Sequence, residues 1–127
     1  MINFLLIGIS AAVGAWFRWL IGAGFAGLFP SLPYGTLAVN LLGGLLMGLS
    51  IAFFQHVNEI SEELKIIINV GFLGGLTTFS AYTADIFLLL QRGDFLIALL
   101  LVLAHVVGAL TLCYLVFYSA NLFLRSF

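Results

Sequence analysis

Charge is what this sequence has least of. Four Lys and Arg residues and five Asp and Glu residues are spread over 127 positions, or 7% of the chain, against 64% apolar residues. A soluble domain carries about 25% charged residues, and nine charges cannot coat a globule of this size. Soluble enzymes and disordered segments are excluded on that ground. A nucleic-acid partner is excluded twice, because the net charge is −1 and no basic patch exists. The single cysteine, Cys113, excludes an intrachain disulfide, and its apolar surroundings make it a small hydrophobe. Metal-ligand clusters are missing as well. His56 and His105 stand far apart, and neither Cys-x-x-Cys nor His-x-x-x-His occurs. The opening Met1-Ile2-Asn3-Phe4 lacks the basic stretch of a signal peptide, so the first hydrophobic run is expected to remain as a membrane helix.

Long apolar runs fill the space that charge leaves. A spanning helix needs about 20 mostly apolar residues. Four spans are predicted, at residues 2–22, 34–54, 64–90 and 95–124, forming one all-α transmembrane domain over residues 1–127. Gly24, Gly27, Pro30 and Pro33 punctuate the first connection, residues 23–33. Gln55 to Glu63 is a polar loop, and Gln91-Arg92-Gly93-Asp94 is a tight turn. The third run reads Gly71-Phe72-Leu73-Gly74-Gly75-Leu76-Thr77-Thr78-Phe79-Ser80. Gly and Thr are poorer helix formers than Leu or Ala, so a break in the third helix is expected there. Bare backbone at membrane depth is tolerated only where protein buries it or water reaches it, which makes the break a candidate functional site.

With four spans, both termini lie on one side. That side is expected to hold Lys65 and Arg125, and the opposite side Arg18 and Arg92. Two against two gives no preferred orientation. Insertion both ways permits an antiparallel homodimer with its two-fold axis in the membrane plane. Gly44-x-x-x-Gly48 and Gly71-x-x-x-Gly75 have the spacing that lets helix backbones approach closely, either within one subunit or between subunits.

Polar side chains inside a span are costly and face protein or water. Thr36 and Asn40 are four residues apart and share a helix face. Ser80 and Thr83 share another face, and Phe79 and Tyr82 form an aromatic pair beside it. His105 is followed one turn later by Gly108 and Ala109. Each residue also has a plainer reading. Asn40 serves as inter-helix glue, and Phe79 and Tyr82 as core aromatics. His105 is a satisfied structural histidine, and Arg18 snorkels to the interface or holds a structural contact. Thr77 and Thr78 bond back to the preceding turn, and Asp85 is interfacial. Together the set is rich in donors and ring edges and poor in acid. Such a lining suits a small, hard anion losing its water. A cation path would show acidic rings or coordinating carbonyls, and a proton-coupled pump a carboxylate deep in a span.

Three segments carry a resemblance. Gly14-Ala15-Trp16-Phe17-Arg18-Trp19, Gly35-Thr36-Leu37-Ala38-Val39-Asn40 and Gly71 to Ser80 resemble, in order and over essentially the whole chain, the Fluc (CrcB) family of fluoride channels. The resemblance implies a dual-topology antiparallel homodimer in a bacterial inner membrane, passing fluoride passively out of the cell through two pores. It implies Asn40 as the pore amide, Phe79 as the first ring of an aromatic pair, and Ser80, Thr83 and Thr36 along the ion's track. It also implies a structural Na⁺ held at the dimer centre by the backbone carbonyls of Gly74 and Thr77. Arg18 matches the family's first-span arginine, in a structural or vestibular role. Tyr82, Asp85 and Ala109 depart from the family's usual Phe, Glu and Ser. A rival reading, a small dual-topology multidrug transporter, requires a glutamate in the first span. Residues 2–22 contain no acid.

Overall fold

The structure, a computed structural model, describes residues 2–28, 33–57 and 59–126, with the side chains of 27 and 28 excepted. It is all helical among those residues. Helix α1 covers Ile2–Leu28 and α2 covers Tyr34–His56. The third hydrophobic run contains α3 (Glu62–Lys65), a π-helical stretch (Ile66–Leu73), α4 (Gly74–Leu76) and α5 (Phe79–Gln91), and α6 covers Phe95–Leu124. Four stretches are long and apolar enough to cross a membrane: Ile2–Ala26, Tyr34–His56, Glu62–Gln91 and Phe95–Leu124. Helix is the form such runs must take, because hydrocarbon offers no water to satisfy an open backbone.

Helix α1 runs six residues past the predicted end at 22. Gly22 and Gly24 do not stop it, since glycine's freedom is of no use where the backbone has no water to turn towards. This extension leaves Arg18 well inside the helix rather than near its end. It lies ten residues before the helix end, about 15 Å along the axis. It therefore leaves the loop-charge count, which becomes Lys65 and Arg125 against Arg92. Pro30 of the first connection and Asn58 of the polar loop lie outside the described residues.

The polar ends follow ordinary helix chemistry. Ser61 caps α3, its hydroxyl accepting from the Leu64 amide at 3.3 Å, and Lys65 pairs with Glu62 at 2.7 Å. Gly93 ends α5 in the left-handed region at φ 82°. The Gly93 amide donates to the Leu90 carbonyl (3.1 Å) and the Asp94 amide to the Leu89 carbonyl (3.0 Å). These two bonds close the left-handed cap and turn the chain into α6.

Small residues decide the packing. A Cβ on Gly44 would lie 2.5 Å from the Ala109 carbonyl oxygen, and one on Gly48 2.2 Å from that of Cys113, so α2 and α6 meet backbone to backbone. Gly75 meets Ala11 in the same way, and Gly71 receives the Ser10 hydroxyl, bringing the third run onto α1. Both G-x-x-x-G pairs are thus used within this chain. The buried apolar residues are few, among them Val39, Ala52, Leu73 and Leu76, with Leu89, Ala98 and Leu101 clustered where α5 meets α6. Most large apolar side chains face outwards, Phe4, Trp19, Leu96 and Leu110 among them, an inversion expected where lipid is the solvent.

Candidate functional site

The site is built on two residues that are not helical. Helix α4 ends at Leu76. Thr77 (φ −83°, ψ 160°) and Thr78 (φ −150°, ψ 124°) are extended, and α5 begins at Phe79. An extended pair inside a helical run strips neighbouring groups of their usual partners four residues away. The structure supplies replacements one by one.

Asn40 supplies two of them. Its Oδ1 accepts from the Thr78 amide at 2.8 Å, and its Nδ2 donates to the Thr78 carbonyl at 2.9 Å. One carboxamide therefore reproduces both bonds that a strand neighbour would give Thr78. The Thr78 hydroxyl accepts from the Ala81 amide at 3.1 Å and so caps α5. Thr77 bonds back to the previous turn, its amide and its hydroxyl both donating to the Leu73 carbonyl at 3.0 and 2.9 Å. The expectation that both threonines bond backwards therefore holds for Thr77 and is corrected for Thr78, whose backbone has already turned out of the helix. The Thr77 carbonyl accepts from Nη1 of Arg18 at 3.0 Å. Arg18 thus holds a contact within the protein, the second of its two plain readings.

Other predicted site residues fall on α2, α5 and α6. Phe79 is 78% exposed, and its ring meets Tyr82 at 5.4 Å between centroids. Tyr82 meets His105 at 4.6 Å. Three rings thus form a row from α5 to α6. Ser80 lies 3.2 Å from the Thr78 hydroxyl, and Thr83 donates to the Phe79 carbonyl at 2.9 Å. His105 is 5% exposed. Its Nδ1 donates to the Leu101 carbonyl at 2.9 Å, the only sense in which a carbonyl can bond it, while its Nε2 is buried without a partner among the described residues. Asp85 Oδ2 is likewise buried without a partner among the described residues. Leu89 packs with Leu101 in the α5–α6 cluster. One turn further in along both antiparallel helices come Asp85 and His105, so the two share a level.

An open cavity of about 330 Å³ lies along the break, lined by Asn40, Gly43, Gly44, Met47, Thr77, Thr78, Phe79 and Ala109. It brings Asn40 and Phe79 together with Thr77. Thr36, Ser80, Tyr82 and Thr83 do not line it. Thr36 stands one turn before Asn40, half-buried. The lining holds no carboxylate. Gly43 faces Thr77 across it, and a Cβ there would collide with the Thr77 methyl group.

Several contacts escape the sequence. No local signal ties Arg18 to a carbonyl 59 residues away. The glycine-rich run hints at an irregular helix, but the π-helical stretch begins before it, in Ile66-Ile67-Ile68. Ser50 donates to Asn69 Oδ1 at 2.7 Å, a second intramembrane polar pair between α2 and the π-helical stretch. Two polar residues in otherwise apolar spans were the available hint.

The two carbonyls expected to hold a cation, those of Gly74 and Thr77, both lose their helical donors at the break. The Gly74 carbonyl loses its helical donor, the Thr78 amide, to Asn40. The Thr77 carbonyl loses the Ala81 amide to Thr78's own hydroxyl. Both oxygens are thus released from the helix, but the Thr77 oxygen already accepts from the Arg18 guanidinium at 3.0 Å, while Gly74 is exposed on the protomer's surface. Released carbonyls suit a hard cation.

Residues 5–117 match the family described as "CrcB-like protein, Camphor Resistance (CrcB)". Among curated relatives, the "Fluoride-specific ion channel FluC" of Aromatoleum aromaticum is 47% identical over 111 residues, covering 87% of this chain and 85% of that protein. The protein of the same name from Pseudomonas putida is 46% identical over 108 residues, 85% of each chain. That of Tolumonas auensis is 43% identical over 124 residues, 98% of each. A match spanning nearly the whole chain, joined to four membrane-length helices and a Thr-Thr interruption held by Asn40, places the protein in the CrcB family.

Proposed function

We propose that the protein is a fluoride-selective channel, formed by two oppositely inserted copies in a bacterial inner membrane, that lets fluoride leave the cytoplasm passively. The observation that carries the reading is the cavity at the break, with hydrogen-bond donors, an exposed aromatic ring and no acid in its lining. The names of the relatives point the same way.

Fluoride is small and tightly hydrated, so a path that admits it must replace water with donors at close range. The Asn40 amide has two N–H groups. One is spent on the Thr78 carbonyl, and that bond aims the other. Asn40 is then both glue and ligand, and the first role fixes the geometry of the second. Helix α5 begins at the break, so the positive end of its dipole and its first amides lie beside the cavity. Phe79 stands at the mouth, and Tyr82 sets its ring angle from behind. A ring edge is weakly positive and cannot strip water by itself. It suits an ion already passing between better donors. Ser80, Thr83 and Thr36 would continue the track beyond the cavity. A larger halide would need more room than such close donors leave.

The dual-topology dimer rests on two features. Loop charge is nearly balanced, Lys65 and Arg125 against Arg92, which favours neither orientation strongly. Phe79 and the Gly74 backbone are exposed on a single copy, and a polar break facing lipid would be costly. A second copy would cover it and, about the two-fold axis, would double the Gly74 and Thr77 carbonyls into a site for Na⁺. That ion would supply a fixed positive charge that ties the two breaks together.

The test is fluoride efflux from liposomes loaded with the purified protein, read by a fluoride electrode with a potassium ionophore present. Protein-dependent fluoride loss that ignores a proton gradient and does not extend to chloride is expected. Vesicles that stay tight to fluoride overturn the reading.

A further inference from the structure

Two buried acceptors stand at the α6 end of the ring row, with no donor between them. His105 is 5% exposed, and its Nδ1 hydrogen is spent on the Leu101 carbonyl at 2.9 Å. A neutral imidazole carries one N–H, so Nε2 is left with a bare lone pair. That nitrogen is buried without a partner among the described residues, and so is Oδ2 of Asp85. Leaving a buried acceptor unpaired is costly, and two acceptors cannot satisfy one another. Asp85 lies one turn after Tyr82 on α5, and the Tyr82 ring meets the His105 ring at 4.6 Å. The depth of the pair follows from α2. Gly44 stands against Ala109 and Gly48 against Cys113. One turn earlier in the same register, His105 falls at the level of Asn40. From α5 the titratable groups facing His105 are Tyr82 and Asp85. From α2 that level offers Leu37, Asn40 and Leu41, which carry no charge.

We propose that His105 and Asp85 form a proton-binding site at the depth of the Asn40 clamp, and that filling it speeds fluoride flux. One proton from solvent supplies the missing donor. It bonds to Nε2, giving an imidazolium whose Nδ1–H stays on the Leu101 carbonyl and whose Nε2–H turns to the Asp85 carboxylate. Placing the proton on Asp85 instead, donating to Nε2, gives the same net charge, so the two groups titrate as a pair. Filling takes the site from one negative charge to none. A carboxylate beside an anion route in a low-dielectric span repels the ion, and the proton removes that repulsion. The proton stays on the protein and is not carried, so flux remains independent of a proton gradient. The effect on flux rests on the channel reading above, whereas the proton site stands without it.

Two measurements test it. Fluoride efflux from liposomes is followed at equal pH inside and outside, from about pH 6 to about pH 9, and the loss from protein-free vesicles is subtracted. Flux through the parent is expected to be about fivefold faster at the acid end than at the alkaline end. Asp85→Asn removes the repelling charge, so its flux should hold at the parent's acid level throughout. His105→Gln removes the proton acceptor and keeps the carboxylate, so its flux should hold at the parent's alkaline level. A flat parent profile overturns the proposal, as does a pH slope kept in either variant. The second measurement does not need flux. The chain has two histidines, so in His56→Gln protein labelled with heavy-nitrogen histidine the Nε2 resonance belongs to His105 alone. That resonance is expected to move from its unprotonated to its protonated position over the range in which flux changes. A resonance that stays at its unprotonated position throughout overturns the proposal, because a neutral donor then fills the gap. Absence of flux in the parent would strike the channel reading, and the resonance alone would then decide the proton site.

Discussion

Removing the Asn40 carboxamide should undo the break. In Asn40→Ala the Thr78 amide and carbonyl lose their partners at 2.8 and 2.9 Å together. Thr78 is 8% exposed, so water does not readily replace them. Two buried groups left unpaired would cost roughly 2–6 kcal/mol at the soluble-protein rate of about 1–3 kcal/mol each. Inter-helix hydrogen bonds in membranes average about 0.6 kcal/mol, because the separated helices also find partners, which sets a floor of about 1 kcal/mol. A further escape lowers the cost. The freed Thr78 amide can return to the Gly74 carbonyl, closing the break into continuous helix. The expected result is a loss of about 1–3 kcal/mol with fluoride flux abolished. Asn40→Asp should fall between the parent and Asn40→Ala in stability, since its carboxylate still accepts from the Thr78 amide. It should also conduct no fluoride, because a negative charge then sits on an anion's route. Unfolding in mixed micelles by denaturing detergent, followed by the fluorescence of Trp16 and Trp19, gives the stability. Liposome efflux gives the flux. An Asn40→Ala protein within about 0.5 kcal/mol of the parent and still conducting would refute the clamp.

Three further outcomes follow from the same contacts. Gly43→Ala drives a Cβ into the Thr77 methyl group and should cut flux by at least tenfold. Thr77→Ser removes that methyl group, keeps the hydroxyl bonded to Leu73, and should restore flux in the double variant; failure of the pair to couple in an efflux assay would count against the fit. Phe79→Ile should reduce flux sharply while the protein still assembles, and size-exclusion chromatography beside the efflux assay checks both. Exchanging Na⁺ for a bulky organic cation should lower the resistance of the parent to detergent unfolding. Protection that ignores the cation would leave the Gly74 and Thr77 carbonyls without their proposed ion.

The share of this protein written in its sequence is set by solvent. Sixty-four per cent apolar residues and nine charges force four membrane-crossing helices, because no other backbone arrangement of such runs satisfies its own hydrogen bonds in lipid. Glycines and threonines in the third run mark where the helix is weak, and intramembrane Asn40 and Arg18 mark where something polar must be met. Chain order alone does not say what they meet. Arg18 reads as a residue near a membrane edge until α1 is seen to continue to Leu28 and deliver it to Thr77. The two G-x-x-x-G pairs fit either a subunit contact or an internal one until Gly44 and Gly48 are found against α6 and Gly71 and Gly75 against α1. Asn40 and Thr78 are 38 residues apart, and their pairing depends on how α2 lies beside the third run. Local composition determines which backbone must be helical. Which groups a weakened helix finds in exchange is decided by packing, because hydrogen bonds reach only about 3 Å and the chain's own neighbours cannot provide them.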